Sequence, residues 1–171
     1  MQPDPKPGYA ALRRHRASTA GAEYFITIKT QPRRSGLQEP SLTERLLLDW
    51  RKLEAEKAWL VRCGVVMPDH LHLLVELGSA LSLSECIRLC KGRLSPTMRA
   101  TRLNWQEGYY EHLMRENEDV LPVFLYIYLN PYKAGLVTKD QPWPGFYCAP
   151  ADWGWFSELT DRELPFAEWL V

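Results

Sequence analysis

The chain has 171 residues and a mass of 19.9 kDa, of which 46% of residues are hydrophobic and 25% charged. That length suits one domain with a true core, and that composition excludes a disordered tail protein and a fibrous one. Twenty-one basic residues balance twenty-one acidic ones, so only the distribution of charge can speak for a polyanionic partner.

Residues 1–20 form a basic arm containing Arg13, Arg14 and Arg16. The arm is proline-rich and has no apolar stretch behind it, so it does not read as a secretory signal, and a cytoplasmic location is expected. The longest apolar runs, residues 63–68 and 71–75, are far shorter than the roughly 18–20 residues a membrane span requires. Residues 23–31 alternate and are rich in Tyr, Phe, Ile and Thr, which predicts a strand ended by Pro32. Ser41 followed by Glu44 resembles a capping box, and Leu42, Leu46, Leu47, Trp50, Leu53 and Lys57 continue with helical spacing. Residues 59–67 and 70–77 are β-rich runs split by Pro68-Asp69, which predicts a tight antiparallel hairpin. Ser82 or Ser84 opens a second helix, with Leu83, Ile87 and Cys90 near one face, reaching Arg93 or, past Pro96, about Ala100. Residues 109–115 read as a fourth strand. A third helix follows Asn117, with Asp119 near its start and Pro122 in its first turn, and runs to about Gly135. The tail, residues 138–171, has four tryptophans and four prolines and reads as an acidic wrap packed on the domain.

The order β-α-β-β-α-β predicts an α+β, ferredoxin-like split β-α-β fold: a four-stranded antiparallel sheet with two helices on one face and an extra helix. Cys63, Cys86, Cys90 and Cys148 lack metal-ligand spacing and read as buried thiols. Charge is clustered: residues 1–34 hold seven basic residues against two acidic ones, and residues 88–102 hold five, including Arg88, Lys91 and Arg93, against none. Residues 138–171 reverse this, with two basic and six acidic residues. The basic blocks suit phosphate tracking, and they equally suit two solvated faces.

The chemistry-bearing pattern is His70-Leu71-His72 within a strand. Side chains alternate along a strand, so both imidazoles leave the same face about 7 Å apart, opposite the helix-facing Leu71, Leu73 and Val75. They are either a divalent-metal pair or two partly buried structural histidines. On the third helix Tyr126 and Asn130 are four apart and share a face, so a hydroxyl and an amide oxygen can meet the same point, although Pro131 disfavours helical geometry at Asn130. Tyr126 otherwise serves as a core aromatic, and Tyr128, about 200° around the helix, suits plain packing.

Several blocks together, residues 21–27 in the first strand, 66–74 around the histidines, 105–115 (Trp105-Gln106-Glu107-Gly108-Tyr109 onward) and 126–137 (Tyr126-Ile127-Tyr128-Leu129-Asn130-Pro131 onward), resemble the REP-associated tyrosine transposases. These belong to the single-tyrosine, His-hydrophobic-His (HUH) transposases that act on single-stranded DNA, and the likeness spans residues 12–137. The resemblance implies His70, His72 and Asn130 as ligands of Mg²⁺ or Mn²⁺, and Tyr126 as the nucleophile of a 5′-phosphotyrosine intermediate. It implies a DNA hairpin as partner and a monomer; the basic Arg13, Arg14, Arg16, Arg88, Lys91, Arg93 and Arg115 are the candidate phosphate contacts. Trp105 and Tyr109 are either base-stacking platforms or core residues. Asp69 stands where the family often has Asn, and Tyr128 where it often has His. Two rivals use the same residues: a non-cleaving DNA-binding descendant, and a phosphohydrolase built on His70, His72 and Asp69 or Glu76.

Overall fold

The computed structural model describes residues 18–31, 34–138 and 141–156. Its elements run β1 (Glu23–Gln31), α1 (Pro40–Ala55), β2 (Trp59–Val66), β3 (His70–Leu77), α2 (Leu83–Ala100), β4 (Asn104–Trp105), β5 (Tyr110–Leu113), α3 (Leu121–Lys133) and β6 (Phe146–Cys148), followed by a 3-10 turn at Pro150–Phe156. Every strand pairing is antiparallel, in the order β4-β1-β3-β2-β6, with β5 also on the outer edge of β1. The inner four strands β5-β1-β3-β2 give the expected split β-α-β arrangement. The sheet gains two short strands, for two and three residues are too few to show a period of their own.

Alternation divides the core by sheet face. Ile26, Ile28, Leu71, Leu73 and Val75 pack with Leu46, Trp50, Ile87 and Leu94 of α1 and α2 on one side. Phe25, Val65, Met67 and Leu74 pack with Val123, Phe124 and Ile127 of α3 on the other. Helix α3 thus covers part of the face that the sequence reading leaves open.

Helix starts show which local signals hold. Ser82 and Glu85 form a complete capping box on α2, and the helix continues through Pro96 to Ala100. Helix α1 starts one residue before the predicted cap: Pro40 occupies its first position, where a missing N–H costs nothing, and Ser41 lies within the first turn. In α3 the Leu121 amide donates to Asp119 Oδ1 at 2.9 Å. That helix passes Pro131 and ends at Lys133, its apolar face held down by the sheet.

Cys63, Cys86, Cys90 and Cys148 are all free thiols and all buried. A bulge between Val61 and Cys63 turns Arg62 towards α3, where its guanidinium lies 5.1 Å over the Phe124 ring. Arg62 also pairs with Glu23 of β1 and, at 2.6 Å, with Asp152 of the 3-10 turn. Pairing of β6 with β2 and this ion pair bind residues 146–152 to the sheet. The rest of the predicted wrap, beyond Phe156, and the arm bearing Arg13, Arg14 and Arg16 lie outside the described residues. Among the described residues no helix is long and apolar enough to cross a membrane.

Candidate active site

The turn between β2 and β3 is fixed before any site chemistry begins. The Met67 amide donates to the His70 carbonyl at 2.8 Å, the Thr30 amide donates to the Asp69 carbonyl at 2.8 Å, and the Gly36 and Leu37 amides both donate to the Pro68 carbonyl. The Asp69 carboxylate lies 2.6 Å from His70 Nδ1. With Nδ1 engaged, Nε2 of His70 is left as its outward donor atom.

His72 is held in the same manner from the neighbouring strand. Register places Thr27 of β1 opposite His72, and Thr27 Oγ1 lies 2.9 Å from His72 Nδ1. Phe25, two residues earlier, stacks on the His72 ring at 5.4 Å with the planes 19° apart. His72 is only 6% exposed. Burial, aided by the nearby His70 and Lys29, pushes its imidazole well below the usual 6.5. It is therefore neutral, the form that offers a lone pair.

This shift predicts a pH response of the metal-free protein. Unfolded His72 takes a proton near pH 6.5 and folded His72 does not, so below that pH the unfolded state binds more protons and stability falls with pH. Between pH 7.5 and 5.0 the melting temperature of the wild-type chain in chelator is expected to drop further than that of His72→Gln. Equal drops would mean that His72 titrates normally.

The two histidine rings are 4.6 Å apart, closer than the 7 Å repeat of their backbone positions because the side chains lean together. The Tyr126 ring meets His72 edge-on at 5.1 Å and Phe25 at 5.9 Å. Because α3 stays helical through Pro131, Asn130 lies one turn further on the same face, and it is half-buried. Tyr128 instead packs on Phe146 at 5.1 Å and on Tyr132 at 5.6 Å, as a packing residue should. Tyr110 of β5, opposite Thr27, brings its half-exposed ring to 6.3 Å from Phe25.

The basic residues divide. Helix α2 lies on the sheet face away from the histidines, and of Arg88, Lys91 and Arg93 the last two have partners there. Lys91 Nζ donates to the Gln106 and Gly108 carbonyls at 2.9 and 2.5 Å, and Arg93 Nη2 contacts both carboxylate oxygens of Glu56. Arg88 is exposed on that far face. Arg115 is exposed in the link from β5 to α3, beside Glu118, whose carboxylate also holds His112 at 2.9 Å. Trp105 donates its indole N–H to the Lys91 carbonyl and packs, with Tyr109, against the core.

Sequence reasoning gave no site role to Phe25, Thr27 or Lys29. Their place is set by the register of β1 on β3, which no spacing within the histidine motif reveals.

Against known families, residues 18–127 match the model described as "Transposase IS200 like". The chain belongs to the IS200-like transposase family. A candidate REP-associated tyrosine transposase of Haemophilus influenzae is 30% identical over 170 residues, covering 80% of this chain and 89% of the relative. The REP-associated tyrosine transposase of Escherichia coli is 27% identical over 155 residues, covering 82% and 88%. Among solved structures, a REP-associated tyrosine transposase bound to a REP hairpin superposes with a TM-score of 0.63 at 26% identity, over 87% of this chain and 93% of that one. The family expected from the motif blocks and the α+β fold expected from the element order are thus the ones found.

Proposed function

We propose that this transposase cuts and rejoins single-stranded DNA beside a hairpin, using Tyr126 as nucleophile. The observation that carries this reading is the placement of a tyrosine ring 5.1 Å from a buried, neutral histidine whose neighbour His70 is 4.6 Å further on. Attack by Tyr126 Oη on the scissile phosphate breaks the bond to the 3′ oxygen and leaves a 5′-phosphotyrosine and a free 3′-hydroxyl. One phosphoester replaces another, so a 3′-hydroxyl can reverse the step and join strands without ATP.

The donor set fits a divalent cation. Both Nδ1 atoms are engaged within the protein, so the two Nε2 atoms would face the cation, with the Asn130 amide oxygen as a third donor from the facing helix. Among the described residues no cluster of three or more His, Cys, Asp or Glu side chains could hold a metal, and Asn130 is a ligand type outside that set. His70, His72 and Asn130 would hold Mg²⁺ or Mn²⁺, imidazole favouring Mn²⁺, and the ion would polarise a phosphate oxygen as Lewis acid. The protein's own part is to orient the tyrosine, through Phe25 and His72, and to fix both imidazoles. The phosphohydrolase rival is weakened: Asp69 is committed to His70, and Glu76 is an exposed residue near the far end of β3.

The test is a denaturing gel of the full chain with labelled single-stranded hairpin DNA taken from beside its gene, in Mn²⁺ or in chelator. A metal-dependent protein–DNA band is the expected result. Binding without any such band would favour the non-cleaving descendant.

The hairpin phosphates are assigned chiefly to the α3 side of the sheet. Arg115→Ala is expected to weaken hairpin binding and to lower the slope of log affinity against log salt by about 1, whereas Arg93→Ala leaves the slope unchanged. Filter binding at several salt concentrations checks both, and a larger change for Arg93→Ala would move the DNA to the α2 face.

A further inference from the structure

Strand β1 sends three side chains to the site face at two-residue intervals: Phe25, Thr27 and Lys29. The first touches Tyr126 and the second holds His72. The third, Lys29, is directly opposite His70 in the register, is half-buried, and forms no ion pair with a carboxylate among the described residues. Its nearest acidic candidate on the turn, Asp69, is already engaged by His70. Its backbone is pinned, because the Lys29 carbonyl accepts from the Gln106 amide at 2.8 Å. Lys29 also lies close enough to His72 for its charge to help keep that imidazole unprotonated.

A half-buried cation with no carboxylate partner among the described residues suits an anionic ligand. Its position says which part of the ligand. Along the strand direction Tyr126 lies at the Phe25 and His72 end of the row, and Lys29 at the opposite end beside His70, so the two histidines span the distance from Tyr126 to Lys29. In phosphoryl transfer the attacking and departing oxygens lie roughly in line on opposite sides of phosphorus. A phosphate seated over the histidines with Tyr126 on one side directs its departing oxygen towards Lys29.

Resting on Tyr126 as nucleophile, we propose that Lys29 is the leaving-group residue, its ammonium donating a hydrogen bond to the 3′ oxygen as negative charge develops there. The bond from Tyr126 Oη to phosphorus forms and the bond from phosphorus to the 3′ oxygen breaks, with no change of oxidation state. The phenol proton passes to water, the 3′ oxygen takes a proton from water, and Lys29 keeps its own. In rejoining, the same ammonium orients the incoming 3′-hydroxyl.

The experiment compares adduct formation by the wild-type chain, Lys29→Met and Lys29→Arg on two hairpin DNAs. One has an ordinary scissile linkage, and the other replaces its bridging 3′ oxygen with sulfur. A thiolate leaves without help, so a leaving-group residue matters only for the oxygen substrate. Lys29→Met is expected to slow the oxygen substrate about 100-fold, the usual scale for one lost charge-stabilising donor, and the sulfur substrate only a few-fold. Lys29→Arg should keep most of the oxygen rate. Equal slowing of both substrates would overturn the assignment and place Lys29 in DNA holding or folding, and no slowing would remove it from the reaction. Absence of any adduct with the wild-type chain would instead overturn the Tyr126 reading, and this inference with it. Unaltered melting and hairpin binding are the control for Lys29→Met; if that variant does not fold, Lys29→Gln takes its place with the same two outcomes.

Discussion

Tyr126→Phe is expected to bind hairpin DNA as the wild-type chain does and to give no covalent adduct, a loss of at least ~10⁴-fold for removal of a nucleophile. The substitution deletes one oxygen and keeps the ring, so the edge contacts with His72 and Phe25 survive and neither histidine is released. Stability should change by no more than about 0.5 kcal/mol, because the side chain is only half-buried. Two other hydroxyls compete for the role. Tyr128 packs against Phe146 and Tyr132, away from the histidines. Tyr110 is nearer, across β1 at the open edge of the site. A denaturing gel, run beside filter binding, separates the cases. An adduct of normal yield from Tyr126→Phe would sink the assignment, and its disappearance in Tyr126→Phe/Tyr110→Phe would move the nucleophile to β5.

Much of this site is legible in the sequence because it depends on local periods. The two-residue period of a strand puts His70 and His72 on one face wherever β3 goes, and the helical period does the same for Tyr126 and Asn130. The warning given by Pro131 was local too, and it was outweighed: seven residues of α3 from Leu121 to Ile127 include five buried apolar ones, enough to hold the helix through the proline. Ser41 shows the reverse case, a good cap residue displaced because Pro40 beside it suits the first helical position better. Non-local relations stayed hidden. Thr27 reaches His72 across 45 residues of sequence, and only the pairing of β1 with β3 states that they are neighbours. Likewise a run of basic residues on α2 says nothing of which charges the protein uses internally, and Arg93 is taken up by Glu56, 37 residues earlier.

The fixing of His72 by Thr27 leads to a graded prediction on the same adduct assay. His72→Ala removes a donor atom outright, and adduct yield is expected to fall by at least ~10³-fold, within the several kcal/mol a metal's charge supplies to the transition state. Thr27→Val keeps the volume of the side chain and the donor atom, but removes the hydroxyl that holds the imidazole's orientation. Loss of such a supporting contact costs about 10–100-fold in metal affinity or activity. The variant also leaves His72 Nδ1 buried without its partner, which costs about 1–3 kcal/mol and should lower the melting temperature. Metal concentration distinguishes the two variants. Raising Mn²⁺ compensates for weakened affinity, so Thr27→Val should approach wild-type yield at high Mn²⁺, whereas His72→Ala should stay inactive throughout. Wild-type yield from Thr27→Val at limiting Mn²⁺ would show that β1 plays no part in aiming the imidazole. In that event the buried Thr27 hydroxyl serves the fold alone, and the stacking of Phe25 on the His72 ring has to hold it in place.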